Sequence, residues 1–188
     1  MTHSGQCLCG AICYQLTGAP NVVALCHCTD CRRSSGAPMV AWAMFPEASL
    51  TLTKGIPKTI NSSGTAMRSF CADCGSGLFY RNQEVLPGIV DIQSSTLDEP
   101  NALPPTIQIQ VAERLDWMQH VHELPQFERW PGSAVLMNWP KHCNAIFSAT
   151  DMSKAITTPT YRRHGRAARL GSPLNIVRAR RTPKTCVR

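Results

Sequence analysis

A chain of 188 residues, 43% of them hydrophobic, is long enough for one ordinary domain with a modest core. No run in it approaches the roughly 18 consecutive apolar residues of a membrane span. The formal charge of +7 is no guide to partners, because residues 1–139 carry 8 Lys and Arg against 11 Asp and Glu, while residues 140–188 carry 11 against 1.

The chain opens Met1-Thr2-His3-Ser4-Gly5-Gln6 and reaches Cys7-Leu8-Cys9-Gly10 without an apolar leader segment. A reducing, cytoplasmic compartment is therefore expected, where clustered cysteines bind metal more often than they form disulfides. A run rich in apolar and β-branched residues follows at 11–16. Next come Cys26-His27-Cys28-Thr29-Asp30-Cys31 and the best helical signal of the chain, a short turn at 29–35. Further strand-like runs lie at 39–45, 50–53, 67–70, 78–80, 89–92 and 107–111, broken by Gly, Pro, Ser and Asn. Many alternate with period two, as in Ile107-Gln108-Ile109-Gln110-Val111, which predicts half-buried strands and a mainly β fold. The third cluster, Phe70-Cys71-Ala72-Asp73-Cys74-Gly75, sits among these runs. From Lys141 onward the periodicity fades into Arg, Thr, Ser, Pro and Ala, a composition that favours disorder. The domain is expected over residues 3–131, with residues 132–188 a transition and a disordered basic tail.

Seven of the ten cysteines lie in the three clusters. Cys7, Cys9, Cys71 and Cys74 supply four thiolates, enough to close a tetrahedral zinc site, whereas Cys26, Cys28 and Cys31 supply three and leave a position for water, thiol or substrate. This predicts two zinc ions per chain, one structural and one available for chemistry. Side chains two apart on an extended strand share a face, so a CxC pair is expected to point both sulfurs one way, with His27 turned away from its neighbours. Gly10 and Gly75, each directly after a cluster, let backbone amides approach the thiolates. The two halves of the four-cysteine site are separated by 61 residues, so metal binding there would be linked to folding. Two alternatives stand beside this reading: redox or core pairs in place of the first site, and a closed second site with Cys13, Cys143 or His27 as fourth ligand.

The three clusters, in this order, resemble the glutathione-dependent formaldehyde-activating enzyme family, which includes centromere protein V. The resemblance extends to Gly88-Ile89-Val90-Asp91-Ile92, to Thr96-Leu97-Asp98-Glu99-Pro100, to Ile109-Gln110-Val111 with Arg114 and Trp117, and to Leu124-Pro125-Gln126-Phe127-Glu128. It implies a compact β-tent of small antiparallel sheets pinned by zinc. It also implies a structural zinc on Cys7, Cys9, Cys71 and Cys74, and a second, catalytic zinc on Cys26, Cys28 and Cys31. The implied activity is a carbon-sulfur lyase-type reaction on a thiol adduct, such as S-hydroxymethylglutathione formed from glutathione and formaldehyde. The implied partner is a small thiol, with no membrane.

Outside the clusters, Arg32 and Arg33 are read as solvated rather than as binders of substrate carboxylates, and His27 as a packing or supporting group rather than a proton shuttle. Trp117 and Phe127 are expected at the core or its edge, and Asp91 and Asp98 at strand-pairing or turn positions. The tail's arginines, Arg162, Arg163, Arg166, Arg169, Arg178, Arg180 and Arg181, would attract phosphate through charge alone. With Phe147 and Tyr161 as its only aromatics, nucleic-acid contact by the tail is ranked below the enzyme reading. A non-catalytic zinc module with such a tail is the alternative function. Methionine sulfoxide reductase chemistry ranks last, because its zinc is built from two CxxC pairs.

Overall fold

In chain order the strands are β1 (Thr2–Gln6), β2 (Cys13–Thr17), β3 (Val22–Cys26), β4 (Val40–Pro46), β5 (Leu50–Lys54), β6 (Lys58–Ser63), β7 (Ala66–Phe70), β8 (Gly77–Arg81), β9 (Ile89–Gln93) and β10 (Ile107–Ile109). A seven-residue helix, α1 (Thr29–Ser35), lies between β3 and β4. The computed structural model describes residues 1–133 and Met137. Met1–His122 form one compact unit; Glu123 begins a second, of which residues 123–133 and Met137 are described. The expected basic tail lies outside the described residues.

The strands form two sheets, one of three in the order β1-β2-β5 and one of seven in the order β10-β3-β4-β9-β8-β7-β6. The mainly β expectation holds, and so does antiparallel pairing, except that β10 joins the edge of the larger sheet parallel to β3. The last strand-like run also ends early. Gln110 turns into the left-handed region at φ 57°, so the chain leaves the sheet after Ile109 and Val111 starts a 3-10 turn.

Residues paired across neighbouring strands point to the same face, which gives the large sheet two distinct sides. On one side Val23, Ala43, Phe45, Phe79, Val90 and Ile92 pack against Ile12, Tyr14 and Leu16 from the smaller sheet and the turn before it. Each such fully buried side chain contributes roughly 1.5–3 kcal/mol. Tyr14 is the hinge of this core. Its ring meets Phe79 edge-on at 5.1 Å, its hydroxyl lies 2.7 Å from Thr96 Oγ1, and burial pushes its phenol well above the ordinary range. Gly5 makes room for it, since any Cβ there would collide with the Tyr14 ring. On the opposite side Cys26, Val40 and Trp42 form a second apolar cluster with Cys31 of α1, flanked by Tyr80 and Ile109. This explains why β4, Val-Ala-Trp-Ala-Met-Phe-Pro, reads as an unbroken apolar run: it is covered on both faces.

Candidate metal centres

Cys7 and Cys9 come from the turn between β1 and β2, and Cys71 and Cys74 from the turn between β7 and β8. The expected extended CxC is not found there. The Gly10 amide donates to the Cys7 carbonyl at 3.0 Å, closing a turn that throws Leu8 into solvent at 85% exposure. The partner turn closes one residue wider, Gly75 N donating to Cys71 O at 2.9 Å. Gly10 (φ 69°) and Gly75 (φ 76°) both occupy the left-handed region, which an L side chain would disfavour. The four sulfurs lie within 4.8 Å of one another. The separations from Cys7 Sγ to Cys9 Sγ, 3.6 Å, and from Cys9 Sγ to Cys71 Sγ, 3.8 Å, match the roughly 3.8 Å between ligands that tetrahedral Zn–S bonds of about 2.3 Å require.

Backbone amides face these sulfurs, as the glycine positions suggested. The Ile12 amide donates to Cys7 Sγ at 3.3 Å. Burial works to raise the Cys7 thiol, but the Ile12 amide and the neighbouring Cys71 and Cys9 outweigh it and bring it below its ordinary value. Burial likewise opposes ionisation of Cys74, yet the Ser76 hydroxyl and amide and the Cys9 amide bring it down to about 6. Burial leaves Cys71 raised to about 12 even against the amides of Cys74 and Asp73. Four sulfurs at these separations, faced by backbone amides, make a donor set that fits a divalent thiophilic metal.

The second group is built by the end of one strand and the start of one helix. Cys26 is the last residue of β3, paired with Val40 on one side and Ile109 on the other. Cys28 caps α1, its Sγ accepting from the Cys31 amide at 3.3 Å, and Cys31 lies buried within the helix. Their sulfurs also fall within 4.8 Å of one another, and among the described residues no fourth Cys, His, Asp or Glu joins them. Cys31 is lowered to about 5, first by its hydrogen bond with Cys26, against burial, and then by Arg68, Cys28 and the Trp42 side chain. Cys26 is pushed far up by sharing that proton and by burial, and Cys28 is raised by burial. A divalent metal held by the three sulfurs would release thiol protons on binding.

The ligand alternatives are resolved for the described residues. His27 points away, as expected: its ring is buried, with Nε2 2.9 Å from Gln108 Oε1 and its backbone N–H donating to Ile109 O. Cys13 lies in β2 with its sulfur 3.8 Å from the Gly10 carbonyl and belongs to neither group. Cys143 lies outside the described residues. Arg32 is held by local hydrogen bonds, Nε donating to the His27 carbonyl at 3.2 Å and Nη2 to Thr29 Oγ1 at 3.1 Å, while Arg33 is exposed. Asp98 takes its turn position, accepting from Ser4 Oγ at 2.6 Å. Trp117 and Phe127 depart from expectation, being 40% and 48% exposed, because the chain has left the sheets by then and runs in 3-10 turns and irregular structure.

Two residues beside the trio carried no local signal. Arg68 of β7 pairs with Tyr80 of β8, which pairs with Asp91 of β9, so three neighbouring strands place these side chains in one row on the trio's face of the sheet. Arg68 Nη2 lies 3.7 Å from Cys31 Sγ, and its guanidinium sits over the Tyr80 ring, 4.8 Å from the centroid. Asp91 is buried, with Oδ1 unpartnered among the described residues. Burial and the Cys31 charge raise its carboxyl to about 7, against the pull of Arg68. Only the strand register, which no short motif encodes, brings Arg68 and Asp91 to the cysteines.

Residues 2–113, more than half of the chain, match the family described as glutathione-dependent formaldehyde-activating enzyme. An uncharacterized lyase of Schizosaccharomyces pombe is 31% identical over 78 residues, 42% of this chain and 56% of that protein; the chain thus spans little more than half the length of this curated relative. A crystal structure of a Rhodobacter sphaeroides protein aligns with a TM-score of 0.46 at 22% identity, over 56% of this chain and 98% of that one. No helix among the described residues is long and apolar enough to cross a membrane.

Proposed function

Because the chain belongs to the glutathione-dependent formaldehyde-activating enzyme family, we propose that it is a zinc-dependent carbon-sulfur lyase-type enzyme. Its substrate is a thiol adduct such as S-hydroxymethylglutathione, formed from glutathione and formaldehyde. The observation that carries this reading is the pairing of a complete four-sulfur set, Cys7, Cys9, Cys71 and Cys74, with a three-sulfur set, Cys26, Cys28 and Cys31, that has no fourth donor among the described residues. The first suits a closed structural ion and the second an ion with a position left for substrate. Zinc held by the trio supplies a Lewis acid that keeps a thiol in its nucleophilic, ionised form.

The chain's own residues prepare that position. Cys26 first, and then Arg68 from 3.7 Å, favour the thiolate of Cys31, and Val40, Trp42 and Ile109 form an apolar wall on the buried side of the trio. In the forming direction a sulfur–carbon bond is made, the carbon–oxygen π bond opens and the thiol proton ends on the aldehyde oxygen; the reverse step cleaves the same bond. No electrons are gained or lost, so no redox partner is needed. The domain performing this is assigned to residues 3–131, and a reducing compartment such as the cytoplasm suits the free thiols of the two cysteine groups.

The test is exchange NMR on glutathione and formaldehyde with purified protein. Wild type should accelerate the exchange with S-hydroxymethylglutathione above the spontaneous rate, and Cys28→Ser should not. A wild-type rate equal to the spontaneous one would refute the proposal.

A further inference from the structure

A cavity of about 320 Å3 opens beside the trio, lined in part by Ser34, Trp42, Ser62, Arg68, Ser69 and Gln93. Its size falls within the roughly 300–1,000 Å3 of small-molecule sites. None of the three cysteines lines it, but Arg68 and Trp42 do; Arg68 Nη2 lies 3.7 Å from Cys31 Sγ and Trp42 packs with Cys26 and Cys31, so the cavity adjoins the trio through these two side chains.

The polar lining divides into committed and uncommitted groups. Ser34 Oγ donates to the Cys31 carbonyl, Ser62 Oγ to the Ala66 carbonyl, and Ser69 Oγ is 2.8 Å from Thr59 Oγ1. Arg68 spends Nε on Ser62 Oγ at 3.2 Å and one Nη2 hydrogen on Cys31. Both Nη1 hydrogens and the second Nη2 hydrogen remain without a hydrogen-bond acceptor among the described residues. Gln93 of β9 lies over Gly77, where a Cβ would collide with its amide, and that amide has no hydrogen-bond partner among the described residues. A half-buried guanidinium with spare donors, flattened on an aromatic ring and edging a cavity, is an arrangement that recognises a carboxylate by a two-pronged hydrogen bond.

We propose that Arg68 is the specificity-determining residue of this site: it pairs with a carboxylate of the incoming thiol and selects acid-bearing thiols such as a peptide thiol over neutral ones, with the Gln93 amide as the second contact. The inference rests on the reading of the trio as the thiol site. Electrostatics give it a reason, because three thiolates around a divalent ion leave net negative charge that would repel an anionic substrate unless a cation stood beside it.

Calorimetric titration of the zinc-loaded protein with glutathione and with glutathione diethyl ester tests this by affinity rather than by turnover. Wild type should bind glutathione about tenfold or more tightly than the ester, the scale of a charge-assisted hydrogen bond. Arg68→Met, which keeps an unbranched side chain of similar length without the charge, should bring the ratio near one with zinc content unchanged. A wild type that binds both thiols equally overturns the proposal even if Arg68→Met does not fold. A folded Arg68→Met that keeps the wild-type preference overturns it too, and leaves the thiol site standing. Wild type that binds neither thiol removes the thiol site itself, and this proposal with it.

Discussion

The two cysteine groups are made from the same atoms and set in opposite surroundings. The four-cysteine group lies where two hairpin turns meet, ringed by backbone amides and adjoining the main core through Cys7 and Cys71. The three-cysteine group lies on the other face of the large sheet, where a strand end meets a helix start, and is flanked by Trp42, Tyr80 and Arg68 and by a cavity. Amides that point at sulfur and a complete donor set make a staple. An incomplete set beside a cation and a cavity makes a place for a ligand. The comparison teaches that cysteine count sets how many sulfurs each group can offer a metal, while the neighbouring elements set what surrounds that metal's position.

The largest effect is expected at the staple. Cys7→Ser should abolish cooperative folding, because structural zinc contributes an apparent ~10–16 kcal/mol in small zinc domains while a whole domain is stable by only ~5–15 kcal/mol; loss of the thermal unfolding transition is the readout. Trp42→Ala, which empties the wall behind the trio, should cost about 3–5 kcal/mol in denaturant unfolding and weaken zinc retention at the trio before that at the staple. Tyr14→Phe removes the hydroxyl bonded to Thr96 on the staple's side of the sheet. It should cost about 1 kcal/mol and leave zinc content and thiol binding as in wild type. If Trp42→Ala and Tyr14→Phe affected the two metals alike, the two sides of the sheet would not be the separate environments described above.

Much of this was legible in the sequence, for physical reasons that differ by element. The cysteine clusters declared themselves because ligand spacing is local, and helix 29–35 followed from the cluster it begins in. The runs that became β2, β4, β5, β7, β8 and β9 carry enough apolar or β-branched residues to show. The strands that escaped are β1, Thr-His-Ser-Gly-Gln, and β6, Lys-Thr-Ile-Asn-Ser-Ser, polar edges held by pairing with β2 and β7, together with β3, Val-Val-Ala-Leu-Cys, a run as apolar as β4 that ends in the second cysteine cluster. The CxC at Cys7 and Cys9 sits in a turn rather than on a strand, because hydrogen bonding to Gly10 overrides the extended form. Arg68 and Asp91 were illegible as site residues, since only the pairing of β7, β8 and β9 brings them to Cys31. Of the arginines adjacent to the cysteines in sequence, Arg32 is held by the His27 carbonyl and Arg33 is exposed.

The division of labour between the two groups is tested most directly by zinc content per chain, measured with near-ultraviolet circular dichroism on wild type, Cys28→Ser and Cys71→Ser. Two zincs in wild type, one in a folded Cys28→Ser, and loss of fold in Cys71→Ser is the expected result. A single zinc in wild type that survives Cys28→Ser would contradict it, by removing metal from the Cys26, Cys28 and Cys31 group altogether.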